Sequence, residues 1–197
     1  MAHFISYIFH PLFFNFYICC LAIFIHPSLH GRIEGMYLIQ IFLLLLISLI
    51  VIPILCIYTF KRSGYITSWQ IPDKKQRTLP FAFIAILMGI TAFNLWESPS
   101  FLFVAKLVLC AGLALLINTL LLFYTKPSAH IMAIVGGAAA FFKEGLTWHN
   151  NQMILVAAIL FFIAGITASA RLLLNAHTFS EILFGALIGI FVILPII

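Results

Sequence analysis

The sequence predicts an all-α fold, a polytopic transmembrane helical bundle of six to seven spans forming one domain over residues 1–197. Three observations carry this prediction. Hydrophobic residues make up 64% of the chain and charged residues 8%, whereas a soluble domain carries roughly 25% charged residues. Mean hydropathy is +1.21. The apolar runs also repeat at lengths near the roughly 20 residues that a helix needs to cross a bilayer. With 197 residues in all, no separate soluble domain fits beside the spans.

Seven apolar segments follow in order, at about 4–25, 36–60, 79–96, 101–124, 129–142, 152–170 and 181–197. The first starts at Phe4 with no basic residue before it and no small-residue cleavage site after it. It reads as a retained span and not as a signal peptide. In the fourth, Lys106 stands about a turn from one end, where a long side chain snorkels to the interface. The fifth is short and rich in small residues, Gly136 to Ala140. Such residues let helix backbones approach closely in lipid, so this segment is expected to pack centrally. Gly185 and Gly189 give the last segment a second close-packing face. Cys19, Cys20, Cys56 and Cys110 all lie in apolar runs without paired ligand spacing and read as packing residues.

Counting crossings, the loops after segments two, four and six emerge on one face, side A. They hold Lys61, Arg62, Lys74, Lys75, Arg77, Lys126 and Arg171, which is most of the 10 basic residues. They also hold Ser128, His130, His177 and Glu181. Side B carries a looser scatter of Arg32, Glu34, Glu97, Lys143, Glu144 and His149. The net charge of +5 is thus no basic surface for nucleic acid, and no nucleic-acid partner is expected. Anionic head groups of membrane lipids account for Lys61 and Arg62.

Three stretches on side A carry chemistry: Asp73 to Pro80, Lys126 to His130, and Arg171 to Glu181. Cations and helix N-termini favour a phosphate group. Two histidines beside it can divide phosphoryl transfer, one as nucleophile and one as acid. Glu181, four residues after His177, can reach the far ring nitrogen if both share a helical turn. Blander readings stay open. Thr178-x-x-Glu181 has the form of a capping box, and Ser128 and Asp73 stand where caps stand. His3, His10, His26, His30 and His149 read as structural. Metal chemistry fits poorly, because Asp73 and Glu181 are the only acids on side A and hard cations want several oxygens. No metal site and no cofactor is expected.

These stretches resemble the signature motifs of the type 2 phosphatidic acid phosphatase superfamily: Lys-x6-Arg-Pro, then Pro-Ser-Gly-His, then Ser-Arg-x5-His-x3-Asp. Here the third appears as Ala170-Arg171, five residues, His177, three residues, Glu181, and the second as Pro127-Ser128-Ala129-His130. The opening Phe9-His10-Pro11-Leu12 is similar to that of the short bacterial members. The motifs lie within about residues 70–181. The resemblance implies metal-independent dephosphorylation of a lipid such as phosphatidate, phosphatidylglycerophosphate or polyprenyl diphosphate, the last slightly preferred. It assigns His177 as nucleophile, Glu181 as its orienter and His130 as acid. Arg77, Arg171 and Ser128 would hold the phosphate oxygens, with Lys74 or Lys75 standing in for the family lysine. The sequence departs from the pattern at Gln70, seven before Arg77, at Leu79 before Pro80, and at Ala129, Ala170 and Glu181. That degraded first motif supports a second reading, a non-catalytic relative that binds lipid or serves as a subunit with a membrane-protein partner.

Orientation follows two opposed cues. The Lys and Arg excess puts side A in the cytoplasm, yet removing the proposed site leaves Lys61 and Arg62 against Arg32 and Lys143, a tie. The resemblance favours a site facing the periplasm from a bacterial inner membrane.

Overall fold

A computed structural model describes residues 1–29, 35–69, 71 and 73–197. His30, Arg32, Glu34 and Gln70, each given a place above, lie outside the described residues. Among the described residues the regular structure is helical throughout, with no strand.

The first apolar segment is two helices, α1 (Ala2–Ile8) and α2 (Pro11–Ile25), with their axes 53° apart. Pro11 has no N–H to extend the α1 ladder and biases the residue before it towards extended backbone. His10 accordingly sits at φ −64°, ψ 131° and caps α2, its Nδ1 accepting from Leu12 N at 3.3 Å. The second span runs unbroken from Gly35 to Arg62 as α3 (Gly35–Leu46), a π turn (Ile47–Val51) and α4 (Ile52–Arg62). Pro53 follows the π turn at once; its ring would crowd a carbonyl of the preceding turn, and the wider turn gives it room.

The third span, α5 (Lys74–Trp96), begins ahead of the expected 79. Asp73 caps it by accepting from Lys75 N at 2.9 Å. Lys74, Lys75 and Arg77 are therefore helical residues and not loop residues as expected. A 3-10 turn (Pro99–Phe101) leads into α6 (Leu102–Leu121), followed by α7 (Ala129–Thr147), α8 (Asn151–Leu173) and α9 (Phe179–Ile196). The fifth segment was expected to end at 142, but the helix continues and takes in Lys143 and Glu144. Among the described residues six spans are long and apolar enough to cross a bilayer, or seven with the α1–α2 pair counted as one.

The central place expected for the small-residue segment is observed. In α7, 78% of the apolar window is buried, against 33 to 50% in the other spans. It packs on α2, α6, α8 and α9. Contact with α9 is close enough to exclude side chains. A Cβ on Gly189 would lie 2.6 Å from the Met132 carbonyl oxygen, and one on Gly185 would lie 2.6 Å from that of Ser128.

At the side B end, His26 Nε2 and Trp148 Nε1 both reach Glu144 Oε1 at 3.1 Å. The His26 ring stacks on Phe103 at 4.8 Å. This clasp joins α2, α6 and α7, so Glu144 and His26 are structural, as read for His26.

Candidate active site

The side A constellation is assembled by the first turns of α5, α7 and α9 and the last turn of α8. His177 ends the short α8–α9 link and is buried. Its Nδ1 lies 3.1 Å from Glu181 Oε2. A carboxylate only accepts, so Nδ1 carries the ring proton and Nε2 keeps its lone pair. The same Oε2 accepts from Thr178 N at 3.0 Å, and Thr178 Oγ1 accepts from Glu181 N at 3.4 Å. Both readings of Glu181 therefore hold at once: it closes a capping box and it orients His177.

The two roles separate by substitution. Glu181→Gln keeps an oxygen for the Thr178 N–H, since glutamine closes capping boxes too, but loses the negative charge beside His177. Its melting temperature is expected to stay near wild type, while the His177 ring loses the charged acceptor that holds its Nδ1 proton. Glu181→Ala is expected to lose about 1 kcal/mol of stability as well. Thermal unfolding of the two variants beside wild type would check the pair.

Ser128 stands at the N-cap of α7, but its side chain makes no capping bond. The cause is local: Ser128 is fully buried against α9, its N–H donates to the Glu181 carbonyl at 3.0 Å, and its Oγ has no partner among the described residues. Asn118 of α6 fixes the approach, donating through Nδ2 to the Pro127 carbonyl at 3.3 Å.

Arg77 is buried, and Nε donates to the Ile71 carbonyl at 2.7 Å. That bond fixes the plane of the guanidinium and leaves its other N–H groups for a ligand. In Arg171, the buried Nε has no partner at all. Among the described residues neither arginine forms an ion pair. Lys126 and Lys74 line an open polar depression over the site together with Asp73, Thr178, Ser180 and Glu181. Lys74 Nζ also donates to the Phe123 carbonyl at 3.4 Å. Lys75 is exposed and does not line the depression; of the two lysines, Lys74 is the one placed to meet an anion.

These cations act on His177. Burial is the main cause holding its pKa down to about 4, with Arg171, Arg77 and Lys126 adding to it and the Glu181 hydrogen bond opposing. Lys126 is also held below the usual lysine range, by burial first and then by Arg77, with Glu181 opposing and Arg171 adding a little. Four cations, Arg77, Arg171, Lys126 and Lys74, against the carboxylates of Asp73 and Glu181 leave an excess of positive charge that favours an anion.

His130 is buried on the first turn of α7, with Nε2 3.1 Å from the Ser6 carbonyl oxygen of α1. A carbonyl also only accepts, so this nitrogen carries hydrogen and Nδ1 is left for proton transfer. His10 meets the same ring edge-on, centroids 5.3 Å apart. Sequence reasoning treated His10 as a structural histidine and missed it here. Crossing parity held the signal, because the chain before the first span must lie on side A. Among the described residues no three His, Cys, Asp or Glu side chains stand as a metal-ligand group.

Comparison of the chain with family models, with curated proteins and with solved structures finds no match.

Proposed function

We propose that the protein is an integral-membrane lipid phosphatase of the type 2 phosphatidic acid phosphatase kind, working through a phosphohistidine at His177. One observation carries the reading. Buried Arg77 and half-buried Arg171, whose Nε is itself buried without a partner, flank a histidine whose Nδ1 is held by a carboxylate at 3.1 Å, and among the described residues neither arginine forms an ion pair. A buried, unpaired guanidinium is costly, and a phosphate group relieves that cost through charge-assisted bonds.

In the first step the His177 Nε2 lone pair attacks phosphorus and the bond from phosphorus to the lipid oxygen breaks. His130, when protonated at Nδ1, gives the departing oxygen its proton. The positive charge that forms on His177 faces Glu181 through the Nδ1 proton. Water then attacks the phosphohistidine, His130 takes a proton back, and the N–P bond breaks to release inorganic phosphate. Arg77, Arg171 and the buried Ser128 hydroxyl hold the oxygens on which charge develops. Phosphatidate, phosphatidylglycerophosphate and polyprenyl diphosphate are the candidate substrates. We place the protein in a bacterial inner membrane with side A towards the periplasm.

The test is phosphate release by the detergent-purified protein from these three lipids, with chelator present throughout. Release establishes the activity; no release from any of them moves the assignment to a non-catalytic lipid-binding subunit. The pH profile gives a further check. His177 is neutral above about 4, so kcat/KM, which reports the free enzyme, is expected to persist through mildly acidic pH and fall as pH drops through that value. Lys126→Gln removes a positive neighbour, and the acid limb is expected to move upwards.

A further inference from the structure

Beneath the paired histidines lies an apolar cavity of about 110 Å³, walled by α2, the π turn, α4, α5, α6, α7 and α9. It shares a rim with the site: His10, which touches His130, and Ala129, the residue before it, both line the cavity. On α7 the lining runs from Ala129 to Gly137, a depth of about 12 Å at about 1.5 Å per residue. On α2 it is formed by Pro11, Leu12, Asn15, Ile18 and Cys19, a spacing that sets all five on one helix face. Asn15 is the exception in this wall. It is half-buried, and among the described residues its amide has no hydrogen-bond partner. At membrane depth an unpaired amide is expensive, so its place in an otherwise apolar wall needs a polar group on the occupant.

Resting on the phosphatase reading above, we propose that the cavity receives one acyl chain of an ester-linked glycerophosphate lipid, and that Asn15 donates an amide N–H to that chain's ester carbonyl. Position supports the assignment. Asn15 stands about 7 Å along α2 from His10, and the ester carbonyls of such a lipid lie a few bonds from phosphorus. The rest of the chain then continues down a wall of Ile18, Cys19, Met132, Ala133 and Gly137. An isoprenoid chain offers no acceptor at that depth and would leave the amide unpaired. A soluble phosphate ester would leave the whole cavity empty.

The experiment measures lipid binding by thermal stabilisation in detergent, using His177→Ala so that ligand is not consumed. Phosphatidate, its ether-linked analogue of equal chain length, and a polyprenyl phosphate are compared. The ester is expected to bind roughly five- to tenfold more tightly than the ether, the worth of one hydrogen bond. Asn15→Leu should erase that difference. Ala133→Phe, which fills the cavity, should weaken both lipids while leaving binding of inorganic phosphate unchanged. Equal affinity for ester and ether, tighter binding of the polyprenyl phosphate, or ester preference surviving in Asn15→Leu would overturn the assignment. Ester-selective binding with no hydrolysis by wild type counts against the phosphatase reading alone. Hydrolysis without ester selectivity counts against the Asn15 assignment alone.

Discussion

His177→Ala is expected to abolish phosphate release, lowering kcat by about 10⁴-fold or more, the scale seen when a covalent nucleophile is removed. No neighbour can replace it. His130 has Nε2 committed to the Ser6 carbonyl and its one free nitrogen, Nδ1, is the one the reaction needs for proton transfer, and the Ser128 hydroxyl is buried without a partner. Thr178 and Ser180 bond to each other at 3.0 Å on the exposed rim. Stability should change little, because the lost His177–Glu181 hydrogen bond is worth about 1 kcal/mol and Glu181 keeps its bond to Thr178 N. Rapid quenching with a phosphate-labelled lipid would show label on wild-type protein, stable to base and labile to acid, and none on the variant. Turnover by His177→Ala would remove the phosphohistidine route altogether.

The second large effect is on the fold. Gly189→Val is expected to destabilise the bundle by about 3 kcal/mol or more. A Cβ there would sit 2.6 Å from the Met132 carbonyl oxygen and 2.9 Å from Gly136 N, and both neighbours are main-chain atoms of the most buried helix. No side chain can swing aside. Gly165→Ala on α8 is the control: a Cβ there meets nothing within 4 Å, and alanine raises helix propensity by up to about 1 kcal/mol. Unfolding curves in detergent should show Gly189→Val melting well below wild type and Gly165→Ala at or above it. Equal melting of the two variants would mean that α9 can move away from α7 freely.

Much of this was legible in the sequence because bilayer physics writes a coarse signal. Long apolar runs fixed the number of spans, parity of crossing fixed their ends, and the run from Gly136 to Ala140 pointed to the central helix. The four-residue spacing of His177 and Glu181 foretold their contact. What stayed hidden depended on three-dimensional neighbours. Arg77 was read as a loop residue because hydropathy falls before residue 79, although Asp73 starts the helix there by capping. The partner of His130 is a main-chain carbonyl, a group that every residue carries and no side-chain pattern marks. His10 and Asn15 gained meaning only when α1 and α2 proved to be bent apart, which brings the turn at His10 against α7. Of the two readings open for Ser128, the cap does not form for a related reason: the closeness of Gly185 buries the hydroxyl away from the α7 N–H groups.

The contact between Ser6 and His130, beside Arg171 and His177, also sets an order in time. A chain made from its N-terminus places the Ser6 carbonyl and His10 in the bilayer while most of the later spans are still unmade. Arg171, His177 and Glu181 arrive with the α8–α9 hairpin, after the walls that α1 to α7 supply. On the phosphatase reading, a partly synthesised or prematurely released chain carries half of the proposed apparatus and is expected to be inert towards the lipids around it. Activity would then report on the insertion of α9, and a ribosome-stalled series ending before and after that helix is expected to show it switching on only once α9 has cleared the exit tunnel.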